Sequence, residues 1–256
     1  MDAKIVKGRT TTDAAKRAES DAPILRALRD GELELQEHLL NSSNNAFLAR
    51  VRWARAEYFV TYKPARGERP LWDFETGTLV NREVAAYIVS QMLGFPNIPP
   101  TVLREGPFGI GAVQLFIEFR AAENYFTLRA AQRAEMKRIA VFDAIVNNTD
   151  RKGGHVLSDP AGKIWAIDHG LTFHEEFKLR TVIWDFVGQA IPREILDRAR
   201  ALRACLDQAD ASARELEQLL TRRELRALRA RTDDLIARGV YPDPPLDWPH
   251  IPWPPV

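Results

Sequence analysis

The chain has 256 residues, 45% apolar and 28% charged, with a formal net charge of +1. That length suits one two-lobed domain or two small ones, and the balanced charge excludes the broad basic field of a general nucleic-acid binder. Its single cysteine, Cys205, excludes an internal disulfide and a thiolate zinc centre. No stretch approaches the ~18 apolar residues of a membrane span, and the polar start has no signal-peptide core. A cytoplasmic protein without integral membrane association is expected.

Residues 1–22 are polar, small and mixed in charge, which predicts a flexible N-terminal arm; the apolar pattern starts at Pro23. Residues 46–63 predict a hairpin, with AFLARVRW and EYFVTYK as strands turning at Ala54 and Arg55. Lys63 closes the second strand and Pro64 stops it. PARGERPLWDFETGT is dense in turn residues and predicts a loop. A helix is predicted over 79–94, because Val84, Ile88 and Met92 recur every four residues and Gly94 supplies a stop. After PNIPP, TVLREGPFGIGAVQLFIEF predicts a second hairpin turning between Gly106 and Gly111, its later strand alternating Val113, Leu115 and Ile117.

Residues 128–146 predict a longer helix with Met136, Ile139, Phe142 and Ile145 on one face, ended by the turn residues of NNTDRKGG. HVLS, DPAG and KIWAID predict a third hairpin, and a loop runs from Asp168 to about Ile183. Residues 191–239 predict Arg-rich helices. Their interspersed Asp and Glu mark the arginines as a solvated face rather than a nucleic-acid patch. The tail YPDPPLDWPHIPWPP cannot be helical and predicts an extended segment anchored by Trp248 and Trp253. The sum is an α+β protein: an arm (1–22), a β-rich half (23–118) and a mainly helical half including the tail (119–256), with a cleft between the halves.

The chemistry concentrates in VFDAIVNNTDRKGGHVLSDPAGKIWAIDHGLTF. Asp150 lies in the turn after a buried helix and Asp168 at a strand end. The hairpin between them reverses the chain once, so both carboxylates can emerge at one edge. Paired carboxylates repel when ionised, and a divalent cation such as Mg²⁺ or Mn²⁺ relieves that repulsion. Phosphoryl transfer needs such a pair together with a strand lysine held by a helix glutamate, for which Lys63 and Glu83 are the candidates. Asp143 and Arg151 read as structural partners of the loop, and His169 and His174 as loop residues. Lys178 and Arg180 are candidates to receive an anionic substrate.

DRKGGHVL followed by AIDHGLTF resembles the catalytic loop and metal motif of phosphatidylinositol 3/4-kinases, with TYKP similar to the ATP-lysine strand and NREVAAYIVSQMLG to its paired helix. The chain resembles a small, actinobacterial-type branch of that family and, more distantly, HipA-type kinases. The resemblance implies a protein-kinase-like fold with a β-rich N-lobe and a mainly helical C-lobe. It also implies ATP as partner and Mg²⁺ or Mn²⁺ as cofactor. In that reading Lys63 binds phosphates, Glu83 holds Lys63, Asp150 orients the acceptor and Asp168 binds metal. The stretch 113–118, including Phe116 and Glu118, contacts adenine, and Ser42, Ser43 and Asn44 cover the phosphates. The sequence departs from the family pattern at two places: His155, a candidate metal ligand beside Asp168, stands at the metal-binding Asn, and Lys152 stands at the loop His, where it can stabilise phosphate charge. The acceptor (lipid, protein or small molecule) is not readable.

Two other functions fit the same residues. One is a pseudokinase, suggested by the absent GxGxxG and by His155. The other is a metal-dependent hydrolase using Asp150, His155, Asp168, His169 and His174.

Overall fold

A computed structural model describes residues 10–39, 45–208 and 210–256, with side chains in the first helix described from residue 19 onward. Five strands make one antiparallel sheet: β1 (Glu32–His38), β2 (Phe47–Trp53), β3 (Ala56–Pro64), β4 (Thr101–Gly106) and β5 (Gly109–Leu115), in the order β1-β2-β3-β5-β4. β2 and β3 form the predicted hairpin, with Trp53 opposite Ala56 and Ala54 in the left-handed region at φ 54°. Strand side chains alternate between faces. Val60, Tyr62 and Val113 point to one face, where they pack with Leu28. Lys63 therefore points to the other, opposite Ala112, which belongs to the larger core.

Helix α1 (Thr10–Asp30) packs on the first of these faces. The second half of the predicted arm is thus helical. Buried Ala27 and Leu28 anchor the helix, and its earlier turns are alanine-rich and charge-balanced, without an apolar stripe to betray it. Strand β1 was not predicted. It is an edge strand whose charged residues alternate with half-buried Leu33 and Leu35.

Helix α2 (Leu79–Leu93) has the predicted limits, and Gly94 ends it at φ 78° with its N–H bonded to Ser90 O at 2.8 Å. It is buried on nearly every side, because it lies between the sheet and the helices α5 (Arg193–Gln208) and α6 (Ala211–Leu219) of the second lobe. Its apolar residues join the core of that lobe rather than the small core under the sheet.

The helical lobe also contains α3 (Tyr125–Leu128), α4 (Arg133–Val146) and α7 (Arg222–Arg238). The predicted single helix from 128 is therefore two, the first being one turn capped by Asn124. A short hairpin, β6 (Val156–Ser158) and β7 (Ile164–Ala166), follows the loop after α4. The result is the expected α+β arrangement, a β-rich lobe and a mainly helical one.

The tail is extended, and of its two expected anchors Trp248 is one while Trp253 is not. Trp253 is 86% exposed, whereas Pro252 is buried and Trp248 packs against Trp72 with ring centroids 5.9 Å apart.

Candidate functional site

Lys63 lies at the interior end of β3, with its ammonium 2.5 Å from Glu83 Oε1 and 3.0 Å from Asp168 Oδ1. Glu83 is presented by α2, and its other oxygen accepts the backbone N–H of His169 at 3.0 Å. One carboxylate thus ties the sheet lysine to the segment that carries Asp168. Burial alone would lower the Lys63 pKa, but Asp168 and Glu83 outweigh it and hold the ammonium above its ordinary value. Reciprocally, Lys63 keeps the Asp168 carboxyl far below the usual range, against the opposing effect of burial. Asp168 stands in the left-handed region at φ 60°, a conformation that aspartate tolerates better than most residues.

Asp150 lines the same cavity as Lys63, Glu83, Asp168, Glu68 and Gly170. Its loop is built by side chain-to-backbone bonds. Asn147 caps α4 at φ 54°, and Asn148 Oδ1 accepts the Asp150 N–H at 3.0 Å while Asn148 Nδ2 donates to Asp143 Oδ1 at 3.0 Å. Arg151 is the hub. Fully buried, it makes two 2.9 Å bonds to Asp143, one of 2.9 Å to Ile167 O, and lies 2.7 Å from His169 Nε2. Asp143 and Arg151 thus have the structural roles expected of them. Asp150 is flanked by Lys152 and Arg180, each at 3.3 Å. Burial raises its pKa, and the two cations offset this in part.

His155 Nε2 lies 3.2 Å from Asp168 Oδ2. Burial, opposed by Asp168, lowers its pKa to about 4, so the ring is neutral at pH 7. Nδ1 accepts the Lys152 N–H at 3.4 Å, which places the ring proton on Nε2, facing Asp168. In this tautomer His155 orients the carboxylate. Among the described residues no cluster of three His, Cys, Asp or Glu is arranged to hold a metal. Asp168 alone nevertheless suits Mg²⁺ or Mn²⁺, which one or two carboxylates hold together with phosphate oxygens and water. The five-residue hydrolase site does not assemble. His169 is buried against Arg151, and His174 packs edge-on to Phe74 at 5.4 Å.

Lys63, Glu83, Asp150, Lys152, His155 and Asp168 are therefore brought together. Ser42, Ser43 and Asn44 lie outside the described residues. Phe116 and Glu118 are exposed beyond β5 and do not line the cavity. The Phe116 N–H donates to Phe59 O at 2.9 Å, which removes it as an adenine donor. Lys178 and Arg180 do not wait for an anion. Lys178 pairs with Asp73 at 3.2 Å and sits between the Trp72 and Trp248 rings, while Arg180 serves Asp150.

Sequence reasoning missed Glu68. From the loop after β3 its carboxylate accepts the N–H groups of Gly77 at 2.7 Å, Val80 at 3.3 Å and Leu79 at 3.5 Å, capping α2 from a distance. Burial raises its pKa despite these bonds. Only its place in a turn-rich loop before an uncapped helix start hinted at this.

No family model matches the chain. Protein Rv2133c of Mycobacterium tuberculosis (strain ATCC 25618 / H37Rv) is 36% identical over 89% of this chain and 93% of its own length. Phosphatidylinositol 4-kinase gamma 4 of Oryza sativa subsp. japonica is 32% identical over 43% of this chain, and its namesake in Arabidopsis thaliana is 32% identical over the same share. The matches span 23% and 24% of those plant proteins. The crystal structure of the Helicobacter pylori proinflammatory kinase CtkA superposes with a TM-score of 0.48 at 11% identity, covering 84% of this chain and 94% of that one.

Proposed function

We propose that this chain, which belongs to the family of Protein Rv2133c, is an ATP-dependent phosphotransferase that moves the γ-phosphate to a hydroxyl acceptor. The partial likeness to the plant phosphatidylinositol 4-kinases supports a kinase-like reading. The observation that carries it is the Lys63 ammonium shared between Glu83 and Asp168, with Asp150 on the same cavity. These are the parts that phosphoryl transfer requires: a strand lysine fixed by a helix glutamate, a metal-competent aspartate and a second aspartate for the attacking hydroxyl.

An entering triphosphate offers Lys63 oxygens in place of Asp168, which frees Asp168 Oδ1. Asp168 would then hold Mg²⁺ or Mn²⁺, whose charge offsets that of the phosphates. His155 keeps the other Asp168 oxygen oriented. Asp150, with its raised pKa, accepts the acceptor proton more readily than an ordinary aspartate. Lys152 is placed to meet charge developing on the transferred group.

The test is ADP formation and label transfer from γ-³²P-ATP with Asp150→Asn and Asp168→Asn. Loss of both activities in both variants is expected; wild-type turnover in both sinks the reading. His155 in the place of a ligating Asn favours one second reading, a nucleotide binder without turnover. ADP formation that depends on Asp150 excludes it.

A further inference from the structure

The tail bonds to both segments that flank Asp150. Asp150 is flanked by Lys152 and Arg180, and the residue following each of these donates its backbone N–H to the tail. Gly153 N–H bonds Pro255 O at 2.7 Å, and Thr181 N–H bonds His250 O at 2.9 Å. Trp184 Nε1 also donates to His250 O at 3.0 Å. The stretch from His250 to Pro255 therefore bridges the catalytic loop and the segment after Asp168, a span of at most ~18 Å for five extended residues. Gly153 is needed for this approach, since a Cβ there would lie 2.7 Å from the Phe126 ring and 3.3 Å from Pro255 O. Main-chain bonds to an extended, proline-rich segment are a peptide-recognition mode. Residues 242–256 contain no Ser, Thr or Tyr.

We propose that the surface which the tail covers between Gly153 and Thr181 is the acceptor site for an extended polypeptide, and that the tail occupies it as an internal substitute lacking a hydroxyl. The proposal rests on the phosphotransferase reading and narrows its acceptor to a protein Ser or Thr. In the reaction the acceptor Oγ–H gives its proton to an Asp150 oxygen and an Oγ–P bond forms. The bond from the γ-phosphorus to the β–γ bridging oxygen breaks, ADP leaves with that oxygen, and Asp150 returns the proton to solvent. A tethered occupant competes at an effective concentration of about millimolar, so an external peptide meets a filled site.

The test uses the full chain. Ile251→Ser, Pro252→Ser, Trp253→Ser and Pro254→Ser place a hydroxyl between the two anchor points. At least one is expected to take label from γ-³²P-ATP at the new serine, located by mass spectrometry. A Trp248→Ala/Pro252→Asp chain, with its tail loosened, is expected to phosphorylate the peptide LDWPHSPWPPV at least tenfold faster than wild type. Vesicles of phosphatidylinositol are assayed beside it. Asp150-dependent ADP formation with no label on any tail serine and no gain on the peptide overturns this proposal but leaves the phosphotransferase reading standing. Label confined to the lipid overturns it in favour of a membrane acceptor. No ADP from any variant overturns both readings.

Discussion

Arg82 of α2 and Glu224 in the first turn of α7 form an ion pair with 7% and 9% of their side chains exposed. Arg82 also donates to Thr172 O at 3.0 Å and lies over the Phe74 ring, while the second Glu224 oxygen accepts the Thr221 N–H at 2.8 Å. The helix that carries Glu83 is thus bound to the helical lobe as well as to the sheet. Removing one partner of a buried pair strands a charge, whereas replacing both with apolar residues is nearly neutral. Arg82→Met and Glu224→Met should each lose about 3–5 kcal/mol of stability in urea unfolding. The double variant should recover most of that loss, and additive losses would contradict the pairing.

Lys63 links the sheet to Asp168 through a 3.0 Å bond. Lys63→Met should lower kcat/KM for ATP by roughly 10²–10³, the effect of losing one preorganised donor to transferring phosphate. Near-UV circular dichroism should stay unchanged, so that a folding defect is distinguishable.

In the proposed phosphotransferase, Asp150 has a different task. Asp150→Asn keeps the shape and one of the two bonds from the Arg180 and Lys152 side chains, since only its amide oxygen accepts, while removing the base. Turnover should fall by about 10²–10⁴, and ATP affinity by isothermal titration should change less than threefold. A parallel fall in affinity would assign Asp150 to nucleotide binding instead.

His155 orients Asp168 through the proton on Nε2. Asparagine can supply the same bond and adds an oxygen donor suited to a hard cation. His155→Asn should therefore raise Mg²⁺-supported turnover relative to Mn²⁺, read from paired ADP assays. An unchanged ratio would place His155 outside the metal's influence.

Gly111 lies opposite Pro64, and a Cβ there would meet Lys63 O and Tyr62 Cε2, each at 2.5 Å. Gly111→Ala should cost about 1–3 kcal/mol and weaken ATP binding, because the strand bearing Lys63 must shift. Tm and nucleotide titration read the two effects separately.

Much of this molecule was legible where a local pattern and a tertiary demand coincide. The four-residue step from Val84 to Met92 and the stop at Gly94 delimit α2, and the Pro64 break marks the strand end at Lys63. The meeting of Asp150 and Asp168 on one cavity was legible because their turn and strand end are encoded beside them. Illegible were features that exist only after closure. Glu68 caps α2 from across a loop, and Arg180 turns inward to Asp150 rather than outward to a ligand. Strand β1 hid because exposed charges outnumber its two apolar residues, and Trp253 misled because large aromatic side chains usually seek burial.

The apolar residues of α2 merge with those of α4 through α7, while the sheet keeps only a thin layer of its own around Leu28, Val51, Val60 and Val113. That layer is too slight to stand by itself in water. Heating should therefore melt both lobes in a single calorimetric transition, with equal van't Hoff and calorimetric enthalpies. The β-rich half expressed without α2 and its neighbours should give the circular dichroism of an unfolded chain.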